Sequence, residues 1–294
     1  MDSIKNVAII GLGLLGGSLG LALKNTSYKR LAWARREETR KLALKNDIVD
    51  EVYSDIEEVL QKADLTVLCL PIPQIINYLY KYADKFKEGS IVTDIGSVKE
   101  VIVDAGEDAL AGRNVTFVGS HPMAGTEHSG LESALKGLYD NAIIFVTPTQ
   151  DTSEVATDLV QQFWNDIDAK SVLISVKKHD ELVAHTSHIS HVIALALTLT
   201  VLDCDSQEDK ANRFDGCSSG FRDTSRITSS NPKMWREIIE NNQPAVLEVV
   251  KNVEKEWDDI RTVIENKEYD KLEALFAKGK KLRDEWLDYK YPSN

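Results

Sequence analysis

The chain has 294 residues, 43% of them hydrophobic and 28% charged, which is the composition of an ordinary globular enzyme with room for two domains. Its net charge of −12 argues against nucleic acid or an anionic membrane as the main partner, because both select for a basic surface. Three cysteines without a CxxC pair indicate neither a disulfide framework nor a zinc site. With no secretory leader and no apolar run of about 18 residues, a cytoplasmic protein is expected.

The first half of the chain alternates short β-branched runs with helical stretches, the pattern of a parallel sheet covered by helices. Helices are predicted over residues 14–23 and 154–167. Strands are predicted over residues 7–10, 31–34, 65–70, 91–95, 115–118, 143–146 and, at an edge, 172–175.

After about residue 175 long amphipathic patterns replace the strands. The weakly charged stretch 182–202 predicts a largely buried helix, the polar stretch 203–216 predicts a loop, and helices are predicted over 233–265 and 271–290. The predicted fold class is therefore α/β, with an N-terminal Rossmann-type domain over 1–174 and a C-terminal all-helical domain over 175–294.

A glycine-rich turn joins the first strand to the first helix as GxGxxG. Gly11 permits the tight turn, Gly13 lets the backbone approach a pyrophosphate, and Gly16 allows the helix to pack closely on the strand. The free N–H groups at the helix N-terminus attract phosphate. The turn predicts dinucleotide binding, although glycine-rich turns also serve purely structural ends.

The end of the second strand bears on the choice of dinucleotide. An acidic residue is expected there to hold the adenosine ribose, but the chain reads Ala34-Arg35-Arg36. Two guanidinium groups favour a 2′-phosphate and hence NADP over NAD, unless they merely begin a solvated helix. The predicted cofactor contacts are Gly11, Leu12, Gly13, Leu14, Leu15, Gly16, Arg35, Arg36 and Pro71.

Two segments after predicted strands contain reactive side chains, Asp94–Lys99 (DIGSVK) and 119–127 (GSHPMAGTE). Ligands of open α/β folds bind at the carboxyl ends of the strands. A histidine in a Gly/Pro-rich loop there can accept a proton from a hydroxyl. His121 is therefore a catalytic candidate, with a hydrogen-bonding role in the loop as the alternative.

The helical half contributes a second group of polar residues. His188 and His191 share one helix face, but with no cysteine or third ligand nearby no metal site is expected. Several arginines follow in GFRDTSR and MWRE, and they can hold a carboxylate bidentately or form surface salt bridges.

Taken in order, these segments resemble the motifs of the prephenate and arogenate dehydrogenases of tyrosine biosynthesis, over essentially the whole chain. The resemblance implies oxidative decarboxylation of prephenate to 4-hydroxyphenylpyruvate, with His121 accepting from the ring hydroxyl and Ser97 orienting that hydroxyl and His121. The segments are GLGLLGGSLGLAL, DIGSVK, GSHPMAGTEHSG, SHISH and GFRDTSRITSSNPKMWREI.

The same resemblance assigns the substrate contacts. Arg226 would bind a substrate carboxylate with Asp223 holding its orientation, His188 and Glu127 would contact or gate the substrate, and Trp235 would pack near it. The other histidines are left as structural or surface residues, namely His128, His179, His185 and His191.

The resemblance also implies a homodimer formed by the helical half. No chorismate mutase module is expected before Met1 and no regulatory domain at Asn294, so feedback by tyrosine would act at the active site.

Three rival functions stay open. An arogenate dehydrogenase would want an acidic group near the substrate amine, which Glu127 could supply. A β-hydroxyacid dehydrogenase would want a catalytic lysine in the second half, and no fitting motif occurs. A nucleotide-sensing protein without catalysis is disfavoured by the joint presence of Ser97, His121 and Arg226.

Overall fold

A computed structural model describes residues 3–126 and 128–291. They form two compact units, Met1–Ala245 and Val246–Asn294. The predicted boundary at 174/175 falls within the first unit and stays a prediction. Glu127 lies outside the described residues, so nothing tests its predicted role.

The main sheet of the first unit has six parallel strands in the order β3-β2-β1-β4-β5-β6 across the described residues. This is the order of a dinucleotide-binding Rossmann sheet, with its switch point between β1 and β4. The short strand β3 was missing from the prediction. The strands are β1 (Asn6–Ile10), β2 (Lys29–Trp33), β3 (Glu51–Tyr53), β4 (Leu65–Leu68), β5 (Ile91–Asp94) and β6 (Thr116–Phe117).

A second, three-stranded sheet contains β7 (Gly119–Pro122), β8 (Ile143–Thr147) and β9 (Lys170–Leu173). Strand β7 runs antiparallel to β8, and β8 runs parallel to β9. The prediction that His121 lies in a loop was wrong, because it lies in β7 opposite Phe145. Glycine and proline lower strand propensity but do not forbid a short edge strand.

Helices cover both faces of the main sheet, so two apolar clusters form. One cluster contains Leu19, Ala43 and Phe163, and the other contains Leu79 and Ile102. These helices are α1 (Leu14–Ala22), α2 (Glu37–Lys45), α3 (Ile56–Leu60), α4 (Ile72–Lys81), α5 (Glu100–Leu110) and α6 (Glu154–Asn165).

A continuous helical stretch, Val176–Leu202, follows the second sheet and starts earlier than predicted. It comprises α7 (Val176–Val183), one π-helical turn (Ala184–His188) and α8 (Ile189–Leu202). By length and composition alone it could cross a membrane, because one 18-residue window within it has a mean hydropathy of 1.4. The expectation that no such run exists was wrong, because the dense Leu, Ile, Val and Ala of α8 outweigh the interspersed Ser, Thr and His.

The next segment corrects two further predictions. Residues 203–216 are not all loop, since α9 (Gln207–Gly216) begins where Ser206 Oγ accepts from Asp209 N at 3.2 Å. That cap, with acidic residues in the first turn, stabilises a helix despite its polar sequence. The helix predicted over 233–265 is two helices that meet at Asn242. The helices here are α10 (Ser219–Ser225), α11 (Pro232–Asn241) and α12 (Gln243–Glu265).

The second unit contains most of α12 and all of α13 (Tyr269–Lys290). Large aromatic side chains are exposed on it, including Phe276 at 74% and Tyr289 at 86%. So much aromatic surface is unusual for a monomer and typical of an interaction face.

Candidate functional site

The glycine turn has the geometry that a dinucleotide needs. Gly11 adopts φ +107°, and a Cβ there would lie 2.4 Å from the carbonyl oxygen of Cys69. A Cβ on Gly16 would lie 2.0 Å from the Gly11 oxygen, whereas one on Gly13 would meet nothing within 4 Å. Gly11 and Gly16 are therefore required by the fold, whereas Gly13 leaves open space beside the N-terminus of α1. A phosphate group fits that space.

The remaining predicted cofactor residues flank this turn along the chain. Arg35 and Arg36 are exposed directly after β2, and Arg40 Nη1 donates to the carbonyl oxygens of Ala34 and Arg35 at 2.7 and 2.9 Å. Arg40, which the sequence did not single out, thus fixes the backbone that carries the two arginines. Pro71 stands just after β4, at the N-cap of α4.

His121 lies in β7, at the edge of the second sheet, and is 8% exposed. Its Nδ1 lies 2.8 Å from Nε2 of His179. Burial above all, and then the nearby charges of His179, Lys99 and His188, hold the pKa of His121 well below its usual value. The imidazole is therefore neutral near pH 7 and able to accept a proton.

His179 and Asp180 form the next part of the site, and the sequence missed both. His179, left as a structural or surface residue, is fully buried, so only the structural alternative stands. Its Nδ1 lies 2.7 Å from Asp180 Oδ1, and the two oxygens of Asp180 accept from the backbone N–H groups of Lys99 and Glu100 at 2.7 and 2.9 Å. The acid that directly follows the histidine was the available signal. The sequence does not reveal that His179 contacts His121, because the two residues are 58 positions apart.

A buried ion pair lies behind His121. Lys99 Nζ donates to a carboxylate oxygen of Asp94 and to the carbonyl oxygen of Ser120 at 2.9 Å. Asp94 also accepts from the backbone N–H of Ser120 at 3.1 Å. Ser97, predicted to orient the substrate hydroxyl, is half-buried in the loop between Asp94 and Lys99.

A third group of side chains extends from Asp180 toward Arg226. Asn242 Nδ2 donates to the Asp180 carbonyl oxygen at 2.9 Å and lies 3.3 Å from Nδ1 of His188. The His188 ring meets Trp235 edge to face at 5.9 Å. Burial is the chief reason that the pKa of His188 falls to about 4.

His191, also left as structural or surface, contributes an aromatic face. Its ring stacks on Trp235 with centroids 3.5 Å apart. Burial first, and then the charge of nearby Arg226, lowers the pKa of His191. His191 therefore lies next to two of the predicted residues, Trp235 and Arg226, and Trp235 in turn contacts the third, His188.

Arg226 lines a cavity of about 470 Å³ together with Phe221, Arg222, Ser225 and Ser229. Asp223 accepts from Arg222 Nε at 3.0 Å. The role predicted for Asp223, orienting Arg226, stays a prediction. Within residues 3–126 and 128–291 no group of three His, Cys, Asp or Glu side chains is arranged to hold a metal ion.

The Rossmann sheet, the glycine turn and the buried imidazole define the class of protein: a dehydrogenase that uses a nicotinamide dinucleotide. The family comparison narrows the class. The model "Prephenate dehydrogenase, nucleotide-binding domain" matches residues 19–173, and "Prephenate dehydrogenase, dimerization domain" matches residues 175–278. The chain belongs to the prephenate dehydrogenase family, as the motifs predicted.

Individual relatives agree with the family models. A prephenate dehydrogenase of Bacillus subtilis is 32% identical over 97% of this chain and 77% of its own length. A crystal structure of Aquifex aeolicus prephenate dehydrogenase with hydroxyphenyl propionate and NAD+ is 30% identical, with a TM-score of 0.88 over 96% of this chain and 98% of that one. The Synechocystis arogenate dehydrogenase structure is 30% identical, with a TM-score of 0.82 over 96% and 99%.

Proposed function

We propose that the chain is a prephenate dehydrogenase, which converts prephenate and an oxidised nicotinamide dinucleotide into 4-hydroxyphenylpyruvate, carbon dioxide and the reduced dinucleotide. The observation that carries the proposal is the buried, neutral imidazole of His121 in β7 of the second sheet. Its strand is tied to the carboxyl end of β5 by the Ser120–Asp94 hydrogen bond. The carboxyl end of β1, with the glycine turn, lies at the same edge of the parallel sheet.

The role of His121 follows from the balance of the reaction. The bound nicotinamide would accept hydride from the ring carbon that bears the hydroxyl. The carboxylate carbon leaves as carbon dioxide, and its bonding electron pair makes the ring aromatic. His121 accepts the hydroxyl hydrogen while the carbon loses hydride, and returns it to the phenolic oxygen of the product. Ser97 orients that hydroxyl and His121.

Substrate carboxylates require basic or donor groups in an otherwise acidic chain. Arg226 takes one carboxylate, with Asp223 holding its orientation and Glu127 gating the entrance. The buried Trp235 Nε1, without a hydrogen-bond partner among the described residues, supplies a donor. His188 and Trp235 pack against the substrate ring.

The choice of dinucleotide, the location and oligomeric state, and inhibition by tyrosine belong to the same proposal. The dinucleotide is NADP rather than NAD, since Arg35 and Arg36 are exposed where an NAD enzyme would carry an acid. The protein is a cytoplasmic homodimer whose helical half supplies the interface, supported by the dimerization-domain match and by the exposed apolar residues of α8 and α13. Tyrosine is an inhibitor that competes at the active site.

Arogenate is the second candidate substrate, favoured by the likeness to the Synechocystis arogenate dehydrogenase structure. A four-way assay of prephenate or arogenate with NADP or NAD, following absorbance of the reduced nicotinamide, decides between them. The highest kcat/KM is expected for prephenate with NADP. Turnover of arogenate alone would reassign the substrate, and absence of turnover in all four mixtures would refute the activity.

A further inference from the structure

We propose that His179 and Asp180 are positioning residues that hold His121 in the tautomer with its proton on Nδ1, leaving Nε2 free as the acceptor. The inference deepens the proposed function and rests on the acceptor role of His121. It concerns two buried side chains that neither the sequence nor the family motifs singled out.

The direction of the hydrogen bonds follows from Asp180. Its two oxygens accept from the backbone N–H groups of Lys99 and Glu100. A carboxylate offers only acceptors, so the 2.7 Å contact with His179 requires that His179 Nδ1 donate.

The tautomer of His121 then follows from that of His179. A neutral imidazole carries one proton, so a His179 that donates from Nδ1 must accept at Nε2. The atom 2.8 Å away is Nδ1 of His121, which therefore carries the hydrogen. The remaining nitrogen of His121, Nε2, is left as a lone pair.

Geometry holds this series of hydrogen bonds in place. Asp180 cannot rotate without losing both backbone donors at the start of α5, and Asn242 Nδ2 also donates to its carbonyl oxygen. His179 is fully buried, and its ring packs edge to face against His121 at 5.0 Å and Phe145 at 5.7 Å. The arrangement corresponds to that of a carboxylate holding a catalytic imidazole in one tautomer, with a second imidazole placed between them.

Without His179 the tautomer of His121 is no longer fixed. A proton on Nε2 would turn the acceptor into a donor toward the substrate hydroxyl. Selecting the wrong tautomer in a Ser-His-Asp triad costs roughly 10⁴-fold in kcat, which sets the upper limit of the effect.

The first test reads the tautomer directly in the wild-type protein without substrate. In ¹⁵N-histidine-labelled protein, imidazole nitrogen shifts at pH 7.5 distinguish a protonated from an unprotonated nitrogen, and the His121→Asn variant assigns the signals. We expect Nδ1 of His121 protonated and Nε2 unprotonated. The opposite tautomer, or an even mixture, would overturn the inference even if the enzyme is active.

The second test compares two substitutions at one position. His179→Phe removes the acceptor, whereas His179→Gln can still present an amide oxygen to His121 Nδ1. We expect kcat to fall roughly 10²–10³-fold in the Phe variant and roughly tenfold or less in the Gln variant, while KM and dinucleotide Kd change little. His185→Gln, at an exposed site in the adjoining π-helical turn, is the matched control and should retain wild-type kcat.

The outcomes separate positioning from folding. Equal losses in the Phe and Gln variants, or a change in KM alone, would overturn the proposed role. If His179→Phe does not fold, the tautomer measured in the wild-type protein still decides.

Discussion

The ammonium of Lys99 donates to the carboxylate of Asp94, and both side chains are fully buried. Burial is the largest influence on Lys99 and lowers its pKa, which the charge of Asp94 opposes. Both groups also bond the backbone of Ser120, the residue before His121. The pair therefore ties the carboxyl end of β5 to the strand that carries the imidazole.

Removing one partner should be costly. Lys99→Met leaves Asp94 as an uncompensated buried charge, so we expect the free energy of unfolding to fall by about 3–5 kcal/mol. Adding Asp94→Asn should recover part of that loss, because the neutral amide needs no counter-charge. Urea unfolding measures both variants, and Lys41→Met, at the exposed pair with Glu37, is the control. A loss as small as that of the control would contradict the structural role.

Two glycines of the turn should respond differently to alanine. In Gly16→Ala the added Cβ meets the Gly11 oxygen at 2.0 Å, so we expect a stability loss of about 2 kcal/mol or more. In Gly13→Ala the Cβ meets no protein atom, so stability should change by less than about 0.5 kcal/mol. Dinucleotide Kd should nevertheless rise at least about tenfold, because the methyl occupies the space for the pyrophosphate. Thermal unfolding and fluorescence titration with reduced dinucleotide give the two quantities, and unchanged Kd in Gly13→Ala would refute the phosphate position.

Sequence reasoning predicted the elements whose patterns are local. The buried strands β1, β4 and β5, the glycine turn and the helical second half are confirmed, because apolar runs and glycine spacing are visible in single segments. Strand β7 was missed because its formation depends on pairing with β8. Helix α9 was missed because its start depends on the cap by Ser206. His179 was missed because its partner lies 58 residues away.

The cofactor choice can be tested at Arg35 and Arg36. Replacing both with serine removes charge-assisted hydrogen bonds to a 2′-phosphate, each worth about 1.5–3 kcal/mol. Because both bonds are lost, we expect kcat/KM for NADP to fall roughly 10²- to 10⁴-fold, while that for NAD changes little. Steady-state kinetics with each dinucleotide measures the ratio. An equal decrease in kcat/KM for both dinucleotides would mean that the two arginines do not bind the 2′-phosphate.

His121→Asn tests the acceptor itself. The amide cannot take a proton from the substrate hydroxyl, so kcat should fall roughly 10²–10⁴-fold. Dinucleotide Kd should stay near the wild-type value, because the glycine turn is untouched. Stopped-flow absorbance of the reduced nicotinamide gives the chemical step, and a rate near that of the wild-type protein would remove His121 from the mechanism.

The buried His188 should make the protein sensitive to acid. Its pKa falls from the ordinary 6.5 to about 4, chiefly through burial. Between these two pH values the unfolded chain therefore binds a proton at His188 that the folded chain does not bind. Stability should therefore be undiminished above pH 6.5, decrease as the pH falls toward 4, and level off below for this group. From pH 7 to 4.5 the loss due to His188 is about 2–3 kcal/mol, at about 1.4 kcal/mol per pKa unit. His121 and His179, whose pKa values are lowered too, add losses of the same sign.

His188→Gln removes the titrating group and keeps a polar partner for Asn242. Denaturant unfolding at pH 7 and 4.5 should show a smaller difference between the two pH values in the variant than in the wild-type protein. His185→Gln, which removes an exposed histidine, should leave the wild-type difference intact. An equal pH dependence in all three proteins would mean that the pKa of His188 is the same in the folded and the unfolded protein. The protonated ring beside Trp235 would then need a counter-charge.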